Sequence, residues 1–329
     1  MKPSQALRAL EYLLDNQLPG FLWGPPGVGK SQLVAQLAAS RKFGFIDKRL
    51  AQCDPTELKG YPWPDSSKGV MTFLQDGGLP TKGKGILFLD ELSHAPPAVQ
   101  AVSYQLVLDR RLGTYELPPG WTVLAAGNRV SDRSFVNEMS SALSSRFVHI
   151  NVEPDLEDFI TWAMANGVNS ATRAYLRWKP ANLATDKFTP GMRAFPTPRT
   201  WVKADKIAHD PKLLPAIKSE LLAGTIGEGT AIEYEGFIRD EATLPDVNVI
   251  LQAPEKAPVP QEPATQHAVV TRLESVTTTK TLGTVLKYMR RVGKEFEVLW
   301  MTSCVERDST LIETSVATQW LQENHSYVA

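Results

Sequence analysis

The sequence predicts an α/β fold in which helices cover both faces of a mainly parallel sheet. Short apolar runs at 21–23, 85–89 and 121–126 have the length and composition of buried strands. Helical patterns follow the first run at 32–39 and the second at 98–109. Strands that alternate with helices are typical of parallel sheets, because a helix usually makes the crossover from one parallel strand to the next.

The flanking segments complete this domain. A helical pattern at 4–16 precedes the first strand, and a fourth apolar run at 147–152 is expected to close the sheet. Glu153 and Pro154 then form an exit turn. We therefore predict one α/β domain over 1–153.

The remainder of the chain has a helical pattern. Helices are predicted at 156–165, 200–209, 213–222 and 231–238, so 154–242 is expected to form a small helical lid domain. Five prolines within 243–265 favour an extended linker. Weaker helical patterns at 267–275, 282–289 and 314–324 predict a helical C-terminal tail, so that 243–329 is a linker followed by an extension.

Composition excludes several classes of protein. The formal net charge of −1 over 329 residues gives no electrostatic reason to expect a protein that coats nucleic acid. Two cysteines, Cys53 and Cys304, are too few for a disulfide framework or a cysteine-rich zinc site. The chain has neither a signal-peptide core nor an apolar run long enough for a membrane span, so a cytoplasmic location is expected.

The run GPPGVGKS between the first strand and the following helix matches the pattern of a phosphate-binding loop. Its glycines let backbone N–H groups approach phosphate oxygens, and the helix N-terminus adds a positive dipole end. Lys30 is expected to reach the β- and γ-phosphates, and Ser31 to ligate Mg²⁺. The predicted residues for binding ATP or ADP are Gly24, Pro25, Pro26, Gly27, Val28, Gly29, Lys30, Ser31 and Gln32.

Two carboxylates, Asp90 and Glu91, follow the second buried strand. The carboxyl ends of parallel strands present ligand-binding groups, so Asp90 is expected to hold the Mg²⁺ shell and Glu91 to act as general base toward the attacking water. By itself, a strand ending in Asp-Glu is also compatible with a solvated acidic turn. The preceding phosphate-binding loop favours the catalytic interpretation.

Asn128 follows the third strand at the same predicted edge. Its amide could orient the lytic water between Glu91 and the γ-phosphate. The alternative is a simple turn residue after a strand.

Together these motifs resemble an AAA+ ATPase, a P-loop NTPase. More narrowly, DELSHAPPAVQAV at 90–102, AAGNR at 125–129, SALSSRF at 141–147 and FPTPRTW at 195–201 are similar to the MoxR-like branch. The resemblance is strongest over 18–152. It implies a three-layer AAA+ domain followed by a helical lid.

The resemblance also assigns roles to three side chains. Asn128 matches sensor 1, Arg146 the arginine finger and Arg199 sensor 2, and Arg129 and Arg133 are rival candidates for the finger. A guanidinium near the γ-phosphate can stabilise the charge that spreads over its oxygens during transfer. The alternatives are a surface arginine for Arg146 and an ordinary ion pair for Arg199. If the finger acts in trans, a homo-oligomeric ring is required, and we expect a hexamer.

Two stretches correspond to the insertions that characterise the MoxR-like group. One, at 58–79, contains Tyr61 and Trp63, and the other, at 111–120, has the pattern of a hairpin. The resemblance implies that both face an axial channel, where aromatic side chains grip a polypeptide. Tyr61 and Trp63 could equally pin a surface loop.

The predicted function is a Mg-ATP-driven motor that remodels or activates a protein partner. The resemblance implies that this partner is often a separately encoded protein of von Willebrand factor A type. One alternative is an AAA+ ATPase that acts on nucleic acid as a loader or translocase subunit, which the net charge disfavours. Another is a nucleotide-gated scaffold with little turnover, which Glu91, Asn128 and Arg146 argue against.

Overall fold

A computed structural model describes residues 1–74, 77–129, 139–185, 192–241 and 244–328. The chain forms two compact units, Met1–Asp155 and Leu156–Ala329. The first unit is α/β and the second is helical.

The first unit is built on a parallel sheet with helices packed against it. Its strands are β1 (Gly20–Trp23), β2 (Gly44–Arg49), β3 (Tyr61–Asp65), β4 (Val70–Leu74), β5 (Lys84–Asp90), β6 (Arg111–Leu112), β7 (Tyr115–Glu116), β8 (Gly120–Gly127) and β9 (Val148–Asn151). Its helices are α1 (Pro3–Asp15), α2 (Lys30–Ser40), α3 (Pro55–Lys59), α4 (Pro97–Asp109) and α5 (Ser141–Ser144).

Five of these strands form one sheet in the order β2-β5-β8-β1-β9, and every pairing in it is parallel. The four strands predicted from apolar runs are all present. The edge strand β2 is an addition, because its sequence GFIDKR mixes charged and apolar residues and its side chains are largely solvent-accessible. A strand at the edge of a sheet needs no continuous apolar run.

Alternate residues of the central strands point into two separate cores, as the period of a β-strand requires. On one face, Leu87 and Leu89 pack with residues of α4, including Val99 and Leu106. On the other face, residues of the central strands pack with α1 and α2. The second core contains Leu10, Leu13, Leu22, Val34, Leu37, Ile86, Phe88, Leu124 and Ile150. The predicted helix–sheet–helix layering is thus confirmed.

The second unit consists of helices around one apolar core. The helices are α6 (Leu156–Ala165), α7 (Ser170–Trp178), α8 (Pro198–Ala208), α9 (Pro215–Ile226), α10 (Glu228–Glu241), α11 (Val247–Gln252), α12 (Pro263–Val276), α13 (Leu282–Val292), α14 (Lys294–Arg307) and α15 (Ser315–Val328). Buried aromatic residues from both sides of 242–243, such as Trp201 and Trp300, belong to the same core. The helices on the two sides of this point therefore share one compact unit.

The proline-rich stretch 243–265 differs from the extended linker that its composition predicts. It contains α11 and the beginning of α12, and its irregular part is tied to α13 by hydrogen bonds. Arg291 Nη1 donates to the carbonyl oxygens of Pro254 (2.7 Å) and Ala257 (2.9 Å), and Tyr288 Oη donates to that of Pro258 (2.7 Å). Prolines lack a donor but keep an acceptor, so side-chain donors from a neighbouring helix can fix such a segment.

The periodicity of apolar residues does not predict two of the longer helices, α7 and α14, because polar side chains occupy buried positions in them. It does not predict the short helices α3, α5 and α11 either. In α7, Thr172, Arg173 and Arg177 are buried. In α14, Glu297 and Ser303 are buried, and Glu297 Oε1 accepts a hydrogen bond from Trp320 Nε1 at 2.5 Å. Buried polar groups that find partners in the folded chain cannot be recognised from hydropathy alone.

Helix length also bears on membrane insertion. Helices α10, α12, α14 and α15 contain 14 residues each, which corresponds to about 21 Å along the helix axis. In the described ranges, no helix is both long enough and apolar enough to cross a membrane.

We expect Gly127→Ala to destabilise the protein, because a Cβ at this position would lie 2.3 Å from Ser93 Oγ and 2.8 Å from Ser93 Cβ. Ser93 is fully buried, so a loss of about 1–3 kcal/mol in the free energy of unfolding is expected. Gly224→Ala in α9 is the matched control, since nothing lies within 4 Å of its added Cβ and alanine favours a helix by about 0.5–1 kcal/mol. Thermal unfolding of both variants gives the comparison. Equal Tm values would contradict the close packing of β8 on Ser93.

Candidate nucleotide site

The loop Gly24–Gly29 connects β1 to α2, and its glycines are required by the local backbone. Gly27 and Gly29 have φ angles of 81° and 99°, in the left-handed region that side chains disfavour. A Cβ at Gly24 would lie 2.5 Å from the carbonyl oxygen of Val152, which follows β9. The loop can therefore keep this course only with glycine at these positions.

Lys30 begins α2 and is 9% exposed. Its Nζ donates hydrogen bonds to the carbonyl oxygens of Gly24 (2.6 Å) and Pro25 (3.2 Å) and to Oδ1 of Asn128 (2.8 Å). The ammonium group thus folds back over the loop and joins it to the end of β8. The predicted residues Lys30 and Asn128 therefore lie next to each other.

Ser31 and Asp90 are also neighbours. Ser31 Oγ donates to Asp90 Oδ2 at 2.7 Å, and Asp90 Oδ1 accepts from the backbone N–H of Glu91 at 2.9 Å. A hydroxyl oxygen and a carboxylate oxygen held side by side are hard ligands of the kind that Mg²⁺ takes beside phosphate oxygens and water. The two residues predicted to hold the metal therefore fit it chemically.

Glu91 occupies an unusual backbone conformation directly after β5. Its φ angle is 59° and its ψ angle 28°, which is the left-handed region that non-glycine residues seldom adopt. Leu92 and Ser93 behind it are fully buried and hold the turn in place. Such conformations cost energy, and they cluster at functional sites.

The turns after β5 and β8 are held together. Ser93 Oγ donates to the backbone carbonyl of Asn128 at 3.3 Å, and Gly127 allows the close approach. The side chains of Asp90 and Glu91 at the end of β5 and of Asn128 at the end of β8 therefore belong to two adjacent strand ends that this hydrogen bond holds together. The sequence placed all three at one edge of the sheet, and the register supports that placement, since Leu89 lies opposite Ala125.

Asp47 is a further acidic residue at this edge that the motifs did not reveal. It lies on β2, two residues before Arg49, which is in register with Asp90. Burial raises the pKa of the Asp47 carboxyl, and the negative charges of Asp90 and Glu91 raise it further, whereas Arg49, with Nε at 3.8 Å, lowers it. In GFIDKR, two apolar residues are followed by three charged ones, so no pattern in the sequence distinguishes Asp47 as a residue of the site.

Arg146 contacts its own subunit in the structure. Its Nη2 donates to Tyr104 Oη at 3.0 Å, its Nη1 donates to Ser145 Oγ at 2.8 Å, and its guanidinium carbon lies 5.1 Å from the centre of the Tyr104 ring. Tyr104 belongs to α4, so Arg146 is placed beside α4 and not against Lys30 or Ser31. The side chain is partly exposed.

The other candidate arginines have different surroundings. Arg129 Nη1 pairs with Glu153 Oε1 at 3.3 Å. Arg133 lies outside the described residues. Arg199 is an exposed residue in the first turn of α8, in the second unit, where Thr197 caps the helix.

Hydrogen bonds through His149 also link β1, the strand before the glycine-rich loop, to the segment that carries Arg146. Trp23 Nε1 donates to His149 Nδ1 at 2.9 Å, and the other ring nitrogen of His149 lies 2.9 Å from the carbonyl oxygen of Ser144. Because indole N–H can only donate, Nδ1 is the acceptor and Nε2–H donates to Ser144. No sequence motif indicated this link, because it joins residues on different strands.

The two predicted insertions are both hairpins. In the first, β3 pairs with β4, and Tyr61 and Trp63 are 54% and 57% exposed. In the second, β6 pairs with β7. The two hairpins are close to each other at Phe73 of the first and Gly113 of the second. A Cβ added at Gly113 would lie 3.3 Å from the Phe73 ring.

Residues 19–147 match the family model of the AAA domain of the dynein-related subfamily. This region contains the glycine-rich loop together with Asp90, Glu91 and Asn128. The first unit accordingly has the AAA+ P-loop fold.

Several solved structures are similar to the chain at low identity. The RuvB Holliday junction branch migration motor of Thermotoga maritima is 18% identical with a TM-score of 0.42, and the match covers 88% of this chain and 87% of that chain. A putative ATPase from Cytophaga hutchinsonii is 15% identical with a TM-score of 0.37, covering 68% and 81%. NtrX from Brucella abortus in complex with ADP is 14% identical with a TM-score of 0.43, covering 99% and 68%.

We expect Asp47→Asn to raise the Tm in metal-free buffer at pH 8. A pKa raised on folding means that the ionised carboxylate destabilises the folded state, and this effect is present above the folded-state pKa. It disappears as the pH falls below the unfolded value, so the Tm values should converge near pH 4, at about the pKa of a free aspartate. Differential scanning fluorimetry across this range measures the difference.

Asp65→Asn serves as the control of opposite sign. A hydrogen bond from Ser67 lowers the pKa of Asp65, so loss of its charge should lower the Tm at pH 8. A lower Tm for Asp47→Asn at pH 8 would contradict the electrostatic environment described for β2.

Proposed function

We propose that this chain is one subunit of an AAA+ ring motor of MoxR-like type, which hydrolyses Mg-ATP to remodel or activate a protein partner. The observation that carries the proposal is the 2.7 Å hydrogen bond between Ser31 and Asp90 beside the ammonium group of Lys30. This bond keeps Ser31, at the start of α2, beside the carboxylate that we expect to bind Mg²⁺, which supports a role in nucleotide hydrolysis.

Binding depends on the loop and on Lys30. The backbone N–H groups of the loop and the N-terminus of α2 attract phosphate oxygens, and the ammonium group neutralises the β- and γ-phosphates. An ammonium group has three N–H donors, and the acceptors of Lys30 include two carbonyl oxygens of the loop and the Asn128 side chain. Engaging a phosphate therefore exchanges at least one of these bonds, and the bond to Asn128 is the one made to a movable side chain.

This exchange gives Asn128 a role in hydrolysis. Once Lys30 turns to the γ-phosphate, the Asn128 amide oxygen can accept a hydrogen bond from the attacking water. Glu91 then accepts a proton from that water as it attacks. Mg²⁺ held by Ser31 and Asp90 supplies charge neutralisation at the phosphates when it is bound.

Arg146 completes the site of a neighbouring subunit in this proposal. The segment that carries it is partly exposed, and the Tyr104 ring and hydroxyl hold its guanidinium beside α4. A residue held away from the phosphate loop of its own subunit is suited to act in trans, so turnover requires a ring, which we expect to be hexameric. Arg199 is the corresponding candidate for sensor 2 on the helical lid.

The aromatic hairpin is the candidate contact with the partner. Tyr61 and Trp63 are two residues apart on β3, so their side chains share one face, and both are more than half exposed. Large aromatic side chains supply much of the contact energy at interfaces. We expect the partner to be a polypeptide, and the resemblance to MoxR-like proteins favours a von Willebrand factor A type protein.

We expect Glu91→Gln to reduce kcat by roughly 10²–10⁴-fold while leaving nucleotide affinity almost unchanged. The amide keeps the size of the side chain but cannot accept the proton. Steady-state ATPase assays and titration with a fluorescent ATP analogue separate the two quantities. Unchanged turnover in the variant would mean that Glu91 is not the general base. If wild-type turnover is slow as well, the result would favour the nucleotide-gated scaffold.

A mixing experiment tests the trans arginine. Rings of either variant alone, Arg146→Ala or Glu91→Gln, should be inactive. In a mixed ring, an Arg146→Ala subunit supplies an intact Glu91 and its Glu91→Gln neighbour supplies an intact Arg146, so the site between them can turn over. An equal mixture should recover about a quarter of wild-type turnover if subunits exchange at random in a closed ring. Light scattering with an ATP analogue checks that the ring forms.

Arg129→Ala is the matched control, because Arg129 is paired with Glu153 in its own subunit. It should retain turnover alone. Full activity of Arg146→Ala, or undiminished turnover by a monomer, would reject the trans assignment.

A further inference from the structure

The imidazole of His149 lies between the start of the glycine-rich loop and the segment that carries Arg146. His149 is on β9 in register with Phe21 of β1, and Trp23 ends β1 directly before Gly24. The rings of His149 and Trp23 are stacked, with their centres 6.0 Å apart and their planes inclined by 26°. The pairing of the two strands therefore brings His149 to the residue that precedes the loop.

Two hydrogen bonds fix the orientation of this imidazole. Trp23 Nε1 donates to Nδ1 at 2.9 Å, and Nε2 lies 2.9 Å from the carbonyl oxygen of Ser144 and 3.2 Å from its Oγ. Because the indole N–H is only a donor, the imidazole accepts at Nδ1 and donates from Nε2. Trp23 thus selects the tautomer of His149 that can hold Ser144.

Ser144 belongs to the turn that leads to Arg146. Its carbonyl oxygen also accepts from the backbone N–H of Phe147 at 3.1 Å, which closes the turn between α5 and β9. Arg146 Nη1 donates to Ser145 Oγ at 2.8 Å. The side chain of Arg146 is therefore tied to the same turn that His149 holds.

The groups that hold Arg146 are neutral. Its guanidinium donates to the hydroxyl groups of Ser145 and Tyr104, and no carboxylate of the described residues pairs with it. Arg129, in contrast, is paired with Glu153. A guanidinium held only by neutral acceptors keeps its full charge for an anion that arrives from another subunit.

The hydrogen bonds of His149 are poorly placed to stabilise the fold. The side chain is exposed to solvent, where water competes for both bonds. Exposed substitutions usually have a small effect on the free energy of unfolding. Directed hydrogen bonds at such a position are better explained by the placement of the turn than by stability.

We propose that His149 is a positioning residue for the arginine that acts in trans. With Trp23 as its anchor, it holds the turn at Ser144 so that Arg146 meets the γ-phosphate bound by the neighbouring subunit. This role rests on the ring motor proposed above. An arginine beside the transferring group accelerates hydrolysis by about 10³–10⁵-fold, and a displacement of about 1 Å can cost about 10²-fold in rate.

His149→Phe tests this role, since it keeps a planar ring against Trp23 but removes both hydrogen bonds. We expect kcat for ATP to fall by roughly 10–100-fold, with KM changed by less than about twofold. The Tm should stay within about 2 °C of the wild-type value, because the side chain is exposed. A lower Tm with an unchanged kcat would show a purely structural role and would overturn the proposal.

A mixed ring shows which active site the imidazole serves. In a mixture with Glu91→Gln, a His149→Phe subunit supplies an intact Glu91, and its neighbour supplies Arg146 in a turn that His149 still holds. Turnover per His149→Phe subunit should rise at least about fivefold in an equal mixture, to about half of the wild-type value if subunits exchange at random. Wild-type subunits diluted in the same way should keep their turnover.

The absence of such a rise would reject the proposal. It would mean that His149 serves the active site of its own subunit, through Trp23 and the glycine-rich loop. If circular dichroism shows that His149→Phe does not fold, Trp23→Phe takes its place in the same mixture, because it removes the anchor from the other end.

The double variant tests the link between the two rings. If Trp23 acts on Arg146 only through His149, adding His149→Phe to Trp23→Phe should lower kcat by less than about twofold further. Independent losses that multiply would contradict the link. His325→Phe is the matched control, because His325 is also exposed and its Nδ1 lies 3.3 Å from the carbonyl oxygen of Gln322. Its kcat, KM and Tm should match those of the wild type.

Arg146→Ala separates this proposal from the one on which it rests. If Arg146→Ala is inactive but His149→Phe keeps the wild-type kcat, the trans arginine stands and the positioning role of His149 is rejected. If Arg146→Ala keeps full turnover, the trans arginine is wrong, and the role of His149 is rejected with it.

Discussion

The candidate nucleotide site depends on the parallel pairing of β8 with both of its neighbours. Trp23 at the end of β1 lies opposite Gly127, and Leu89 near the end of β5 lies opposite Ala125. This register brings three strand ends to one edge, where Lys30 can reach Asn128 and Ser31 can reach Asp90. Because successive side chains of a strand point to opposite faces, a slip of one residue would separate these groups.

Close packing enforces that register. Gly127 permits Ser93 to lie against β8, and Gly24 permits the loop to pass the carbonyl of Val152. Glycine at these points allows backbone segments to approach one another more closely than any side chain would permit. Buried Leu92 and Ser93 hold Glu91 in its left-handed conformation, so the position of the proposed general base is set by the core beneath it.

The parts of the site that lie in continuous motifs could be predicted from the sequence. Lys30, Ser31, Asp90, Glu91 and Asn128 each follow an apolar run, and the ends of parallel strands must meet at one edge. The alternation of strands and helices likewise indicated the layered fold. These signals are local, so a single sequence contains them.

Other features depend on contacts between distant residues and gave no such signal. Asp47 acquires its environment only when the polar edge strand β2 pairs with β5. The contact of Arg146 with Tyr104 joins positions 42 residues apart. In the second unit, α7 and α14 bury polar groups whose partners lie on other helices, so hydropathy concealed both elements.

The first hairpin of the α/β unit has a consequence for the behaviour of the protein in solution. Its exposed strand β3 carries Tyr61 and Trp63, a composition that often promotes edge-to-edge association between chains. Pro62 and Pro64 alternate with these aromatic residues and have no N–H to offer a further strand. The hairpin can therefore expose an aromatic surface without extending into an intermolecular β-sheet.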